Sequence, residues 1–224
     1  MKISVVIPIH NEGETIQEIV QRVLDVPLEM ELILVNDGST DGSDQILDEL
    51  DDKRIAVYHL PRNQGKGAAV RHGIKMAGGD VVAIQDADLE YDPSDLTALC
   101  DPIQSGKADV VYGVRDLSGQ KWLLRWGNRF LSLMASVFYG QRLHDMETCY
   151  KLIRREIIQG IPLECSGFDI EPEITAKILR SGHRIFELPI NYNPRYENKK
   201  LTPWDGIPAI KAILRYSRWR PEKS

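Results

Sequence analysis

The feature that most restricts this chain is a rhythm. Through about residue 114, short apolar runs alternate with segments whose apolar residues recur at helical spacing. Residues 4–9, 31–35, 55–60, 80–85 and 109–113 read as strands. Residues 15–24, with Ile16, Ile19, Val20, Val23 and Leu24 on one side, read as a helix, as do 65–77 and 93–105. A cluster of turn and capping residues, 36–43, precedes a further apolar set at Ile46, Leu47 and Leu50. Strands separated by helices must pair parallel, because a tight hairpin cannot join them, so the expected class is α/β with a mainly parallel central sheet and helices on both faces. After Gly113 the rhythm changes. Residues 122–139 read as a long helix, 150–153 as a short strand, 168–179 as a helix, 185–188 as a strand ending before Pro189, and 203–216 as a last helix.

Charge sharpens this division. The 224 residues carry 28 basic and 33 acidic side chains, a net of −5. Residues 1–114 hold 9 basic and 21 acidic ones, whereas residues 115–155 and 195–224 each hold 8 basic and 3 acidic ones. An acidic average without a broad cationic surface argues against nucleic acid as a partner. The longest uncharged stretch, 130–141, has twelve residues, against the roughly 20 that a spanning helix needs. The start of the chain, broken by Pro8 and charged at Glu12, does not resemble a signal peptide. Three widely spaced cysteines, Cys100, Cys149 and Cys165, contain no CxxC pair and suit a reduced, cytosolic protein.

In open parallel sheets ligands bind beyond the carboxyl ends of the strands. Here those positions read His10-Asn11-Glu12, Asn36-Asp37-Gly38-Ser39 and Asp86-Ala87-Asp88-Leu89-Glu90. Carboxylates at Asp86, Asp88 and Glu90, two residues apart, are expected to point to one side and to repel unless a hard divalent cation sits among them. An acidic loop that merely leads into the helix start at Asp92-Pro93 is the plainer alternative.

Together, Val5-Val6-Ile7-Pro8 with Asn11-Glu12, Asn36-Asp37-Gly38-Ser39-Thr40-Asp41, Asn63-Gln64-Gly65-Lys66-Gly67 and Asp86-Ala87-Asp88 resemble the family 2 glycosyltransferases of the GT-A fold. Within that family the likeness is to polyprenyl-phosphate and dolichyl-phosphate sugar transferases, over about residues 3–200. The resemblance implies one GT-A catalytic domain, 1–224. Residues 1–114 would be a nucleotide-sugar-binding half, 115–200 an acceptor half with a lid, and 201–224 an amphipathic helix. It implies that Pro8, Asn11 and Glu12 lie by the nucleoside, with Glu12 touching ribose, and that Asp37 accepts a hydrogen bond from the base. Lys66 would lie near the nucleotide, with Gly65 and Gly67 letting backbone pass close. Asp86 would hold the sugar or ribose, and Asp88 with Glu90 would bind Mg²⁺ or Mn²⁺ on the diphosphate, Asp88 thereby serving catalysis. Many relatives carry Gln where Glu90 stands.

On the acceptor side, His144-Asp145-Met146-Glu147-Thr148-Cys149-Tyr150-Lys151 aligns with the acceptor-loop motif of these enzymes. Asp145 is the candidate catalytic or sugar-orienting carboxylate. Arg115 and either Arg125 or Arg129 are candidates to grip an acceptor phosphate, since Arg matches phosphate bidentately. Arg195, Lys199 and Lys200, with Asn198, fit a lid over the diphosphate. Cys149 and Cys165 read as small buried residues, and the five histidines have no metal-ligand spacing.

The expected activity is therefore metal-dependent, inverting transfer of a hexose from a UDP- or GDP-linked donor to a polyprenyl phosphate. The site of action is expected to be cytoplasmic, peripheral at the inner face of the membrane. Trp204, Ile207, Ile210, Ile213, Leu214 and Trp219 flanked by Lys211, Arg215, Arg218, Arg220 and Lys223 form the pattern of a helix contacting anionic lipid. A soluble saccharide acceptor and a nucleotide-sugar binding module without turnover remain open at this stage. A nucleotidyltransferase lacks support, because no Gly-rich, basic signature follows the first strand.

Overall fold

The structure is a computed structural model that describes residues 1–120, 122–194 and 206–221. Its sheet has seven strands: β1 (Ile3–Ile9), β2 (Met30–Asn36), β3 (Ile55–His59), β4 (Val81–Ile84), β5 (Val110–Arg115), β6 (Lys151–Arg154) and β7 (Phe186–Ile190). They lie in the order β3-β2-β1-β4-β6-β5-β7. The α/β class and the mainly parallel sheet match the reading of the sequence. Only β6 runs against its neighbours, antiparallel to both β4 and β5. The carboxyl ends of the other six strands therefore share one edge, and the start of β6 lies at that same edge.

Among the described residues eight helices pack around the sheet: α1 (Ile16–Leu24), α2 (Ser43–Asp48), α3 (Lys66–Met76), α4 (Asp95–Gln104), α5 (Trp122–Tyr139), α6 (Arg155–Gln159), α7 (Ile170–Arg180) and α8 (Gly206–Tyr216). The apolar positions that announce α1 are the ones it buries, Ile16, Ile19, Val20 and Val23. β1, β2 and β4 are almost wholly buried, as strands covered on both faces must be.

Two prolines sit inside strands without breaking them. Along β1, amides alternate between the two neighbours. Gln85 N–H donates to Val6 O, and the β1–β4 pairing ends at Val6 opposite Ile84. Pro8 thus faces the side where β4 has already departed, and its missing N–H costs no ladder bond. The strand expected to stop before Pro189 instead runs through it to Ile190. β7 pairs only with β5, and an edge strand tolerates proline.

α8 corrects the expected membrane face. Ile213 is fully buried, as are Ala209, Ala212 and Tyr216, so this helix packs on the domain through α5 and α7. Ile207 and Leu214 remain exposed, and Trp204 and Lys223 fall outside the described residues. The larger exposed apolar surface is on α5. Trp122, Trp126, Phe130, Leu133 and Val137 are 53 to 73% exposed. At ~100° per residue they share an arc of roughly 80°, while Leu131 and Ala135 on the opposite side are buried.

Candidate functional site

The site is built at the edge where the parallel strands end, and its first half is made of loops that hold each other. Asp37 closes β2. It is buried, and its Oδ1 and Oδ2 accept the backbone N–H groups of Gln64 and Gly65, each at 2.8 Å. Asn11, with φ of 54°, accepts the Thr40 N–H at 2.8 Å and donates its own N–H to Ser39 Oγ. The Glu12 carboxylate accepts the Thr15 hydroxyl, which also donates to Ala87 O at 2.8 Å and so ties the β1 loop to the β4 loop. Asp41 accepts from Gly13 N–H and from Ser43. Pro8 is the one half-covered residue of β1 and stands just before the buried Ile9 that leads into these loops.

The backbone that passes close to Gly65 and Gly67 is the chain's own. A Cβ at Gly65, where φ is +95°, would lie 2.3 Å from Ser166 O, and one at Gly67 would lie 2.6 Å from Cys165 O. The turn before α3 is thus pressed against the segment that leads into α7, and only glycine fits it.

The three acidic residues after β4 do not line up as a strand would present them. Leu89 stands in the left-handed region with φ of 61° and breaks the alternation. Asp86 Oδ1 pairs with Lys66 Nζ at 2.8 Å. Asp88 Oδ1 accepts the Glu90 N–H, and Glu90 Oε2 accepts the Tyr192 hydroxyl at 2.6 Å. Each carboxylate therefore has a partner of its own in this arrangement. A backbone outlier of this kind is held only where its surroundings over-determine it, and such places concentrate at functional loops.

Lys66 also lies 3.3 Å from Glu171 Oε1 on α7, and Glu171 Oε2 accepts from the fully buried Lys151 Nζ at 2.5 Å. Lys151 further donates to the Met146 and Thr148 carbonyl oxygens and lies over the Tyr112 ring. The result is a line of alternating charges, Asp86, Lys66, Glu171, Lys151, running from the half expected to bind nucleotide into the half expected to bind the acceptor. Burial alone would pull the Lys66 ammonium down, but Asp86 and Glu171 hold it well above the usual lysine range.

The second charge cluster is Arg115 with Asp145, the pair expected on the acceptor side. Arg115 closes β5 and donates from Nε and Nη2 to the two oxygens of Asp145, at 2.6 and 2.8 Å, while its own N–H reaches Oδ2 at 3.2 Å. Asn128 of α5 donates to Asp145 Oδ1 at 3.1 Å. Burial would raise the Asp145 carboxyl, yet Arg115 beside it holds it below the ordinary range and in its charged form. Glu187 of β7 accepts the N–H groups of His144 and Asp145 and so fixes the loop from outside. The Arg115 guanidinium also lies over the Tyr192 ring, whose hydroxyl is the one bound to Glu90. Tyr192 thereby joins the acceptor pair to the acidic loop.

Of the two arginines on α5, Arg125 is half-buried, with an Nε that is buried and unpartnered, and it lies one turn from Asn128 on the side of the acceptor pair. Arg129 is exposed. Arg195, Lys199, Lys200 and Asn198 lie outside the described residues. The structure thus brings together Asp86 and Lys66, with Asp88 and Glu90 in the loop after them, on one side and Arg115 with Asp145 on the other, and it shows no contact of Arg125 with that pair. Asn128, Lys151, Glu171, Glu187 and Tyr192 complete the arrangement, and reading the sequence assigned them no part in it. No local signal sets Lys151 or Glu171 apart, since β6 (KLIR) and α7 (IEPEITAKILR) each carry other charges.

Residues 4–161 match the family described as Glycosyl transferase family 2. The chain belongs to that family. Among the relatives of this family 2 glycosyltransferase, polyprenol monophosphomannose synthase of Mycolicibacterium smegmatis is 31% identical over 231 residues, covering 96% of this chain and 85% of the relative. Undecaprenyl-phosphate mannosyltransferase of Micrococcus luteus is 27% identical, covering 98% and 94%. Undecaprenyl-phosphate 4-deoxy-4-formamido-L-arabinose transferase of Proteus mirabilis is 32% identical over 73% of this chain, and the match spans 52% of that protein. Among solved structures, glucosyl-3-phosphoglycerate synthase of Mycobacterium tuberculosis, crystallised with Mn²⁺, uridine diphosphate and phosphoglyceric acid, superposes with a TM-score of 0.78 at 20% identity, over 99% of this chain and 80% of that one. Mannosyl-3-phosphoglycerate synthase of Rubrobacter xylanophilus gives 0.79 at 18% identity, over 97% and 74%. These likenesses establish the GT-A fold.

Proposed function

We propose that this enzyme transfers a hexose from a UDP- or GDP-linked sugar to the phosphate of a polyprenyl phosphate, with inversion at C1. The observation that carries the reading is the double character of α5. One side of the helix supplies Asn128 to the Arg115–Asp145 pair and carries the half-buried Arg125 one turn away, and the adjoining side is an exposed apolar stripe with Trp122 and Trp126 at its start. An anion-binding corner and a lipid-compatible surface on one helix suit an acceptor that is a phosphate on an apolar chain. The names of the relatives from Mycolicibacterium and Micrococcus point the same way. Among the described residues no helix is long and apolar enough to cross a membrane, so contact with anionic lipid would be peripheral, through α5 with Ile207 and Leu214 of α8.

The donor set after β4 suits Mg²⁺ or Mn²⁺ in kind, since its atoms are hard carboxylate oxygens without thiolate or imidazole. Among the described residues no group of three His, Cys, Asp or Glu side chains could hold a metal ion, so a cation here would need ligands from a diphosphate as well. Asp88 and Glu90 would hold it. When bound, the cation neutralises charge on the departing nucleoside diphosphate. The chain's own groups do the rest. Lys66, charged and fixed between Asp86 and Glu171, adds positive potential beside the diphosphate. Glu12, Asn11 and Asp37 shape the nucleoside end. A lipid phosphate oxygen is already anionic near pH 7, so no general base is needed. Asp145, charged and filled by Arg115 and Asn128, orients the guanidinium toward the incoming phosphate.

The test is incorporation of label. Purified protein with MnCl₂ is given radiolabelled GDP-mannose, UDP-glucose, UDP-galactose or UDP-N-acetylglucosamine, with and without vesicles holding undecaprenyl phosphate. Label should enter the organic phase from one donor, only with lipid phosphate and only without chelator. Transfer to a water-soluble saccharide alone, or no transfer in any arm, would reject the reading. Arg125→Met should raise KM for the lipid phosphate and leave KM for the donor unchanged, whereas Arg129→Met should alter neither.

A further inference from the structure

Among the described residues, six buried side-chain nitrogen or oxygen atoms lack a hydrogen-bond partner. Two of them, Glu147 Oε1 and Thr148 Oγ1, belong to adjacent residues of the loop that carries Asp145, whereas Glu171 Oε1 faces Lys66 Nζ at 3.3 Å. Buried polar atoms in folded proteins are nearly always satisfied, so two side by side mark where a ligand completes the bonding. Thr148 is itself wholly buried.

The chemistry of these atoms selects the ligand. A carboxylate oxygen accepts and a threonine hydroxyl does both. They repel a phosphate and would welcome neutral O–H donors. The adjacent cations cannot satisfy Glu147, because Lys151 is engaged by Glu171 and two carbonyl oxygens and Arg115 is engaged by Asp145. Glu147 lies within electrostatic reach of Lys151 and Glu171 on one side and of Arg115 and Asp145 on the other. That position lies between the line of charges that begins at Asp86 and the pair that faces the acceptor, where a sugar in transit between donor and acceptor has to lie.

We propose that Glu147, assisted by Thr148, receives hydroxyl groups of the transferred sugar and so helps decide which sugar the enzyme moves. The assignment rests on the nucleotide-sugar reading above and adds a residue to it. Its ionisation agrees with the role. Burial, strengthened by Glu171 and Asp145 and opposed by Lys151 and Arg115, pushes the carboxyl up to about 7. Near neutrality it can therefore either accept from a hydroxyl or donate to one.

The experiment is calorimetric titration, with MnCl₂ present, of GDP, UDP, GDP-mannose, UDP-glucose and UDP-N-acetylglucosamine into the wild type, Glu147→Ala and Glu147→Gln. Glu147→Ala should weaken the sugar nucleotide that the wild type binds by about tenfold and leave the matching nucleoside diphosphate within about twofold, the size of one hydrogen bond to a charged group. Glu147→Gln, of equal size and still an acceptor, should stay close to wild type. Equal weakening of nucleotide and sugar nucleotide, or no change in either, overturns the assignment. A wild-type protein that binds none of the five compounds overturns the nucleotide-sugar reading itself, and the assignment falls with it.

Discussion

The loops after β1 and β2 and the cluster after β5 both present polar side chains at one edge of the sheet, yet they are held by different means. In the first region side chains are fixed by backbone amides. Asp37 binds Gln64 and Gly65, Asn11 binds Thr40, and Asp41 binds Gly13. In the second region charge is fixed by charge, through Arg115 with Asp145 and Lys151 with Glu171. Amides at a rim can turn to water when a carboxylate is removed. A buried ammonium cannot, because the cost of an unpaired buried charge exceeds that of an unpaired exposed dipole. The amide-held half should therefore be forgiving, and the charge-held half brittle.

The largest effect is expected at Lys151. Lys151→Met leaves Glu171 buried and short of a cation, and should cost about 3–5 kcal/mol of stability by denaturant titration. Adding Glu171→Gln should recover part of that loss. A Lys151→Met protein as stable as wild type would remove the contrast between the halves. Next, Asp88→Ala should keep its fold and lose roughly 10²–10³ in kcat for label transfer with MnCl₂, and turnover in wild type that persists in chelator would reject the metal reading of Asp88. A smaller loss is expected in the forgiving half. Asp37→Ala frees the Gln64 and Gly65 amides at a half-exposed turn and should cost about 1–2 kcal/mol. A loss as large as that of Lys151→Met would show that the loops are brittle too.

The last effect is one of pH. Glu147 has a folded value of about 7 against an ordinary 4.5, so between those values the folded chain holds a proton that the unfolded chain has released. This contribution to stability is complete below pH 4.5 and is lost as pH rises through 7. Glu147→Gln should flatten that decline and be relatively more stable at pH 8. An unchanged slope of melting temperature against pH would place the titration elsewhere.

The same contrast explains what could be read in advance. The parallel sheet and the loops at its edge were legible because their determinants are local, with apolar period, turn residues and motifs lying within a few positions of each other. Asp86 and Lys66 are both expected at the site, but their pairing and the relay to Glu171 and Lys151 depend on residues brought together from 66, 86, 151 and 171, and no local pattern records such a meeting. The carboxylates after β4 were expected on one side because strand geometry was extended past the strand, and the conformation of Leu89 ends that geometry. The membrane-facing pattern was sought on the last helix because basic residues flank it. Hydropathy alone does not distinguish a stripe buried by its own fold, as at Ile213, from one left outside, as at Trp126.

One consequence of α5 concerns length more than identity. Its outward stripe faces no partner of fixed shape, so one large apolar residue there should serve as well as another, and Trp126→Leu should pass unnoticed. Its helical phase is another matter. Each residue added to the middle of the helix would turn everything beyond it by ~100° and advance it by ~1.5 Å, separating the surface past Phe130 from the face that carries Arg125 and Asn128. Among homologous chains that do the same work, this segment should therefore drift freely in composition while keeping a constant count of residues from Arg115 to Asp145.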